Sequence, residues 1–307
     1  MMNWIKKRPY LLFLTPGIIL YSIFVIYPIF AAANISLYKW NGIGKRVFVG
    51  INNYIELFTN QDLFNQMTNA LKNSFLIFAL TVIFVIPIQI IMAYIIYSKA
   101  RGKSFFQAAI FSPQFIATPI IVFIFTLIFD GNIGLFNKLL EVAGFGHLAK
   151  PWLGIPKMGI YIVWGMISWA GVGVGMIYFL GAMKMIAFEE MESAYLEGAG
   201  FWKRLFYIVL PNIKMTALNL VLISYIIGMT IFDYSYILGG ISGGIKGSVD
   251  VMSLFFYRMA FGDSNPLGGV ISDNSIGMGT TIACVLFFMV FIVSMVQILI
   301  VYRKEEE

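Results

Sequence analysis

The chain has 307 residues, 60% of them hydrophobic and 12% charged, with a formal net charge of +6. This composition excludes a soluble globular domain, whose surface would be roughly a quarter charged residues, and the continuous rather than alternating apolar runs exclude a membrane β-barrel. Because these runs are about 20 residues or longer, we predict an all-α, polytopic membrane protein whose basic residues reflect membrane orientation rather than nucleic-acid binding.

Six apolar segments predict six transmembrane helices within a single transmembrane domain over residues 1–307. The predicted spans are 11–33, 73–98, 105–129, 159–182, 212–238 and 276–302. The start of the chain has the features of a signal peptide: Lys6-Lys7-Arg8, an apolar run, and Ala31-Ala32-Ala33. However, the run is about twice the usual length of a signal-peptide apolar region, so we expect an uncleaved first span.

Lysines and arginines are distributed unevenly between the two sides of the membrane. An even number of spans places both termini on one side, and that side carries 12 of the 21 basic residues on the shorter loops. The positive-inside rule therefore predicts cytoplasmic termini. The basic residues assigned to the cytoplasm are Lys6, Lys7, Arg8, Lys99, Arg101, Lys103, Lys184, Lys203, Arg204, Lys214, Arg303 and Lys304.

The outer segments are longer, and short helices are expected within them around 62–71, 135–142 and 251–261. The glycine run from Gly239 to Gly247 lacks the Gly-Lys-Ser/Thr spacing of a phosphate-binding loop, so we interpret it as a connecting loop. One cysteine, Cys284, and one histidine, His147, provide neither an intrachain disulfide nor a zinc site. We therefore expect no catalytic residue, metal or bound cofactor in this chain.

A charged segment from Ile186 to Met215 separates spans four and five on the predicted cytoplasmic side. Residues 188–196 favour a helix whose first turn carries acidic residues, which suit the positive end of the helix dipole. Gly198 and Gly200 permit a sharp turn, and a second helix from Phe201 is expected to end at Pro211. This pattern predicts a helix–turn–helix plate on the membrane surface; the simpler alternative is an ordinary loop with an interfacial helix.

The spacing within this segment resembles the EAA loop of permeases from binding-protein-dependent ABC importers. The matching pattern is Glu-x-Ala, three residues, Gly, nine residues, and Ile-x-Leu-Pro, with two departures: Ser193 replaces the first alanine, and Glu197 stands where the family often has aspartate. The matching positions, which the resemblance implies couple the permease to its ATPase over the loop 183–211, are Glu192, Ser193, Ala194, Glu197, Gly198, Ile208, Leu210 and Pro211.

Other positions, in the same order along the chain, also resemble the carbohydrate-uptake branch of that family. They are Tyr27-Pro28 at the end of span one, Phe48 to Tyr54 after it, and Gly239-Gly240 after span five. The resemblance implies the type I importer fold and a multi-pass location in a bacterial cytoplasmic (inner) membrane. It also implies four kinds of partner: a second, homologous permease, two ATP-binding subunits that hold ATP and Mg, an extracytoplasmic solute-binding protein, and a carbohydrate substrate, with no nucleic acid.

Aromatic and polar side chains within spans four and five form the predicted substrate pathway. Polar groups are costly at membrane depth and often mark a transport route, whereas the alternative here is an aromatic belt with helix packing. Aromatic faces stack on sugar rings, and hydroxyls or amides bond sugar hydroxyls. The candidates are Trp169, Tyr178, Asn219, Tyr225, Asp233 and Tyr234.

Three alternative functions have different sequence requirements. An ion-coupled secondary transporter would need buried carboxylates or broken helices at mid-membrane, where Asp233 is the only candidate. A membrane-embedded enzyme would need a converging set of catalytic side chains. A glycerol-phosphate permease of the same family would favour arginine or lysine in the pathway, and we find none in the span interiors.

Overall fold

Helices form nearly all of the regular secondary structure in the computed structural model, which describes residues 10–98, 102–262 and 273–305. In these residues the strands are Tyr38–Lys39 and Val47–Phe48, an antiparallel pair with Tyr38 opposite Phe48. The α-helices are Tyr10–Tyr21, Tyr27–Ile35, Asn52–Thr59, Gln61–Leu80, Ile86–Tyr97, Lys103–Phe111, Thr118–Ile128, Leu135–Val142, Pro156–Met183, Phe188–Leu196, Phe201–Arg204, Leu210–Thr230, Asp233–Gly239, Met252–Phe261 and Ser275–Glu305.

Among the described residues, five helical stretches are long and apolar enough to cross a membrane, and a sixth candidate is bent. The five are Phe13–Ile35, Gln61–Tyr97, Pro156–Met183, Phe201–Gly239 and Ser275–Leu299. The sixth joins Lys103–Phe115 to Thr118–Ile128 at an angle of 100°. The uninterrupted helix predicted over 105–129 is therefore wrong. Ile116 and Ala117 have an extended backbone, which interrupts the helical hydrogen bonds just before Pro119.

Three of these stretches contain a π-helical turn directly ahead of a Xaa-Pro pair. In each, the residue before the proline donates its N–H to the carbonyl five residues earlier, as Leu210 does to Leu205. Proline has no N–H and its ring crowds the carbonyl four residues earlier, so the wider turn lets the helix pass the proline without ending. The turns are Ser22–Ile26, Thr81–Val85 and Leu205–Val209, before Pro28, Pro87 and Pro211.

Two predicted boundaries are corrected by helices that continue. Pro211 does not end a helix, because the stretch Phe201–Gly239 runs through it. Ile208 therefore lies on the same helical stretch as the predicted fifth span. The cytoplasmic position of the loop 183–211 stays a prediction. The helix that contains the second predicted span starts at Gln61, so the short helix predicted around 62–71 is its first part. Polar residues alone do not stop a helix, and Met67, Ala70, Ser74 and Ile77 keep one buried stripe.

The topology prediction concerns several residues that the structure does not describe. Lys6, Lys7, Arg8, Lys99 and Arg101 lie outside the described residues. The cytoplasmic orientation of the termini therefore stays a prediction.

The chain divides into two compact units. The first comprises Met1–Asn65 and Phe256–Phe288, and the second comprises Gln66–Phe255 and Met289–Glu307. The predicted single-domain organisation stays a prediction.

Two asparagines, the buried Asn53 and the half-buried Asn274, join parts of the first unit. Asn274 accepts a hydrogen bond from the Trp40 N–H at 3.2 Å and donates to Asn53 Oδ1 at 2.8 Å. Asn53 in turn donates to the Ser36 carbonyl at 2.7 Å and to the Tyr38 carbonyl at 3.0 Å. These bonds tie the loop after the first span to the start of the last helix.

The second unit is centred on the helix Pro156–Met183. Its residues Met176 and Phe179, together with Tyr94, are fully enclosed. At Gly173 the helix approaches another backbone so closely that an added Cβ would lie 2.6 Å from the Phe111 Cα. Small residues at such points allow membrane helices to pack tightly.

Candidate coupling loop and membrane cavity

The helix Phe188–Leu196 ends in a Schellman motif. The Ala199 N–H donates to the Ala194 carbonyl at 2.9 Å, and the Gly198 N–H donates to the Tyr195 carbonyl at 3.1 Å. Gly198 has φ +73°, the left-handed conformation that this motif requires after the last helical residues. The Ala-to-Gly spacing of the predicted loop is thus the spacing of a helix stop, with Ala194 supplying the carbonyl and Gly198 the turn.

The predicted coupling residues fall into an outer and an inner set. Glu192, Ser193, Glu197, Gly198 and Pro211 are exposed, whereas Ala194 is buried and Ile208 and Leu210 pack partly buried against the core of the second unit. The exposed members are accessible at the protein surface. The inner members hold them on the protein.

Arg204 stabilises the turn between the helices Phe188–Leu196 and Phe201–Arg204. Its guanidinium lies 3.6 Å from the centre of the Tyr195 ring, and the residue is only 9% exposed. A desolvated cation–π contact of this kind is worth about 2 kcal/mol. Glu190 Oε2 accepts a further bond from Asn212 Nδ2 at 3.1 Å. The pairing of Arg204 with Tyr195 is not visible in the sequence, because it depends on how the turn folds back.

A cavity of about 210 Å³ lies in the second unit, between its transmembrane helices. The polar side chains that line it are uncharged, and one of them is unsatisfied: Ser168 Oγ is enclosed without a hydrogen-bond partner in the described part of the chain. Gln89 donates only a long bond, 3.4 Å, to the Gly171 carbonyl. Such groups can accept or donate bonds to a polar guest. The polar lining residues are Thr81, Gln89, Gln114, Ser168 and Ser224.

None of the six predicted pathway residues lines this cavity. Tyr178 comes nearest in register, because it continues the helix face of the lining residues Gly171 and Val174. Trp169 lies on another face of the same helix, with its ring 5.9 Å from that of Phe125. Their role in the pathway stays a prediction.

The remaining predicted pathway residues differ in their surroundings. Asn219 is exposed, and Tyr225 is buried with its hydroxyl donating to the Met289 carbonyl at 3.3 Å. Asp233 is exposed in the first turn of Asp233–Gly239, and Tyr234 is half-buried beside it. The sequence signal for the cavity is the amide of Gln89 inside an otherwise apolar run, a residue that was not among the predicted pathway residues.

Comparisons with known proteins give consistent results. No family model matches the chain. The chain is 30% identical over 311 residues, the full length of both proteins, to "Probable ABC transporter permease protein YurN" of Bacillus subtilis (strain 168). It is 28% identical over 296 residues to "Arabinooligosaccharides transport system permease protein AraP" of the same organism, covering 95% of this chain and 88% of AraP.

Solved structures share the fold. One is the "Crystal structure of bacterial alginate ABC transporter in complex with alginate pentasaccharide-bound periplasmic protein", with a TM-score of 0.76 at 21% identity. That match covers 95% of this chain and 93% of the other. The all-α importer-type permease fold predicted from the sequence is therefore confirmed.

Proposed function

This chain belongs to the permease family of ABC transporters, and from that premise we propose that it is the membrane-spanning subunit of an ATP-driven importer for a carbohydrate. The substrate class rests on two supports. Relatives such as AraP, and "Multiple sugar-binding transport system permease protein MsmF" of Streptococcus mutans at 28% identity, are named for sugar transport. The second support is the chemistry of the membrane cavity.

The cavity's uncharged polar lining is the observation that carries the proposal. Ser168, Ser224, Thr81 and the two glutamines offer hydroxyls and amides, which suit the hydroxyls of a neutral sugar. A phosphate-bearing substrate would favour arginine or lysine, and the described lining has neither. At about 210 Å³ the cavity is smaller than the ~300 Å³ of an ordinary ligand pocket, so a second permease would complete the site.

The coupling loop carries the motion of the ATPase to the spans. The exposed surface around Glu192 and Gly198 docks on a cytoplasmic ATP-binding subunit, where ATP and Mg are held. The helical stretch Phe201–Gly239 starts directly after this turn and continues into the fifth span. A displacement of the turn is therefore transmitted along the helix, which is unbroken from Phe201 to Thr230. ATP moves the transporter between inward-open and outward-open states only by binding one of them more tightly.

The complete transporter contains further subunits in a bacterial cytoplasmic membrane. We assign to it a second homologous permease, two ATP-binding subunits and an extracytoplasmic solute-binding protein. Affinity purification of the tagged chain from native membranes in mild detergent tests this composition. We expect an ATPase and a second permease in the eluate, whereas a chain that purifies alone with full transport activity would contradict the proposal.

The substrate cavity has its own test. Ser168→Ala removes the unsatisfied hydroxyl, while Ser294→Ala removes a hydroxyl that only bonds the Val290 carbonyl of its own helix. One hydrogen bond is worth about 0.5–1.5 kcal/mol, so we expect KM for the sugar to rise roughly 2- to 10-fold in the first variant only. Equal KM values for both variants would contradict a role for Ser168 in the substrate pathway.

A further inference from the structure

A second cleft, distinct from the substrate cavity, lies at one end of the transmembrane helices. It has a volume of about 230 Å³ and is lined by five aromatic residues, Phe125, Phe129, Phe136, Trp152 and Tyr161, with apolar residues of the helix Pro156–Met183 closing it. The rings follow one another in contact, with centroids 5.2 Å apart for Phe129 and Phe136 and 5.3 Å apart for Phe136 and Trp152.

Nearly all of the surface that lines the cleft is apolar. The indole N–H of Trp152 donates to Asn137 Oδ1 at 2.6 Å and is not available to a guest. Asn137 is buried and also donates to the carbonyls of Gly131 and Lys150, each at 3.0 Å, so the loop that forms one wall is held in place. A sugar would leave its hydroxyls without partners here, which is unfavourable, so the guest must be apolar.

The position of the cleft matches one leaflet of a membrane. Phe129 directly follows the helix Thr118–Ile128, and Met158 lies in the first turn of Pro156–Met183, so the outer end of the cleft is where the two spans end. Gly165 lines its inner end seven residues beyond Met158, roughly 10 Å deeper at 1.5 Å per residue. Half of a hydrocarbon core is about 15 Å thick, so the cleft follows one leaflet.

The surroundings of the cleft continue the membrane-facing surface. Phe123 and Leu127, on the helix that forms one wall, are 63% and 46% exposed. Beyond the cleft, the helix Leu135–Val142 presents Leu135, Leu139 and Val142 outward on one face, as interfacial amphipathic helices do. An apolar cleft that opens on such a surface loses dispersion contacts unless lipid fills it.

We propose that this cleft binds the acyl chain of a phospholipid, with the lipid phosphate at the lysines of its outer rim. Lys150 and Lys157 are exposed and lie within two residues of the lining residues Trp152 and Met158. The carboxylate of Asp130, in the same loop, is bonded to the backbone. Its Oδ1 accepts hydrogen bonds from the N–H groups of Asn132 and Ile133 at 2.8 and 2.9 Å. Glu141 is the other acidic group of this loop.

Filling the cleft tests the proposal. At Gly165 an added Cβ would make only ordinary contact with Phe125, at 3.7 Å, so the larger side chain of Gly165→Leu extends into the cleft without a backbone clash. Gly17→Leu is the control, because Gly17 also lies in an apolar span and has nothing within 4 Å of its added Cβ. Native mass spectrometry of the assembled transporter counts phospholipids retained through detergent. We expect wild type and Gly17→Leu to keep one more lipid per complex than Gly165→Leu.

A second measurement does not depend on a variant. The wild-type transporter is placed in nanodiscs of phosphatidylglycerol with dibrominated acyl chains and imaged by electron cryomicroscopy. Bromine density between Phe129 and Tyr161 is the expected result. A cleft occupied by side chains of the second permease, or equal lipid counts in all three proteins, would overturn the proposal.

Discussion

The left-handed turn at Gly198 gives the sharpest test of the coupling loop. An L-residue at φ +73° costs about 1–2 kcal/mol, while asparagine tolerates this conformation better than alanine or valine. Nothing lies within 4 Å of an added Cβ at Gly198, so size alone has no effect there. Backbone strain therefore predicts that Gly198→Asn is milder than Gly198→Ala, although asparagine is larger, and that Gly198→Val is the most severe.

Backbone strain at Gly198 should weaken the two hydrogen bonds that close the turn. A loss of 1–2 kcal/mol raises the open fraction of the turn roughly 5- to 30-fold. Hydrogen exchange at the Ala199 amide, which bonds the Ala194 carbonyl, reports this opening directly. ATP-dependent uptake by the reconstituted transporter should fall in the same order as exchange rises.

A matched control separates strain from a general intolerance of the loop. Gly200 has φ −69° and ψ 171° at the start of Phe201–Arg204, where serine is a favoured capping residue. Gly200→Ser should leave exchange and uptake near wild type. If Gly198→Asn were worse than Gly198→Ala, side-chain size would govern the site and the strain argument would be refuted.

Three further predictions concern packing and charge. A double-mutant cycle of Arg204→Met and Tyr195→Leu should give a coupling energy of about 0.5–2 kcal/mol in thermal unfolding, and additive effects would deny the contact. Gly171→Ala, with open space at its Cβ, should raise the Tm slightly through helix propensity, whereas Gly173→Ala should lower it by overlapping the Phe111 backbone; the same sign for both would contradict this packing. Hydrogen bonds from the N–H groups of Ile133 and Asn132 lower the pKa of Asp130. The stability that its carboxylate adds is therefore present above the unfolded-state pKa and is lost as pH falls through the lowered folded-state pKa. If the wild type stayed more stable than Asp130→Ala at low pH, this reasoning would be contradicted.

The sequence predicted most of the helical architecture because the length of an apolar run is a direct physical requirement of a bilayer. It did not predict the 100° bend in the third span, which depends on extended backbone at Ile116 and Ala117. Nor did it predict that the helix passes Pro211, because the π turn that accommodates the proline leaves no mark in residue composition.

For the site, local patterns were more informative than long-range pairings. The Ala194-to-Gly198 spacing was recognisable because a helix stop is encoded by neighbouring residues. The membrane cavity was not, because Gln89 and Ser168 meet only through helix packing. Gly171 and Gly173 show why packing is hard to predict from sequence. They are two residues apart in one helix, yet Gly171 faces open space and Gly173 faces the backbone at Phe111.

Reconstitution in liposomes tests whether this transporter takes up a sugar at the expense of ATP. The chain and its co-purified subunits are placed in liposomes with the solute-binding protein outside, and entry of a labelled oligosaccharide that this protein binds is measured. We predict uptake that requires both ATP on the ATPase side and the loaded binding protein. Uptake by this chain alone, driven by an ion gradient without ATP, would contradict the account.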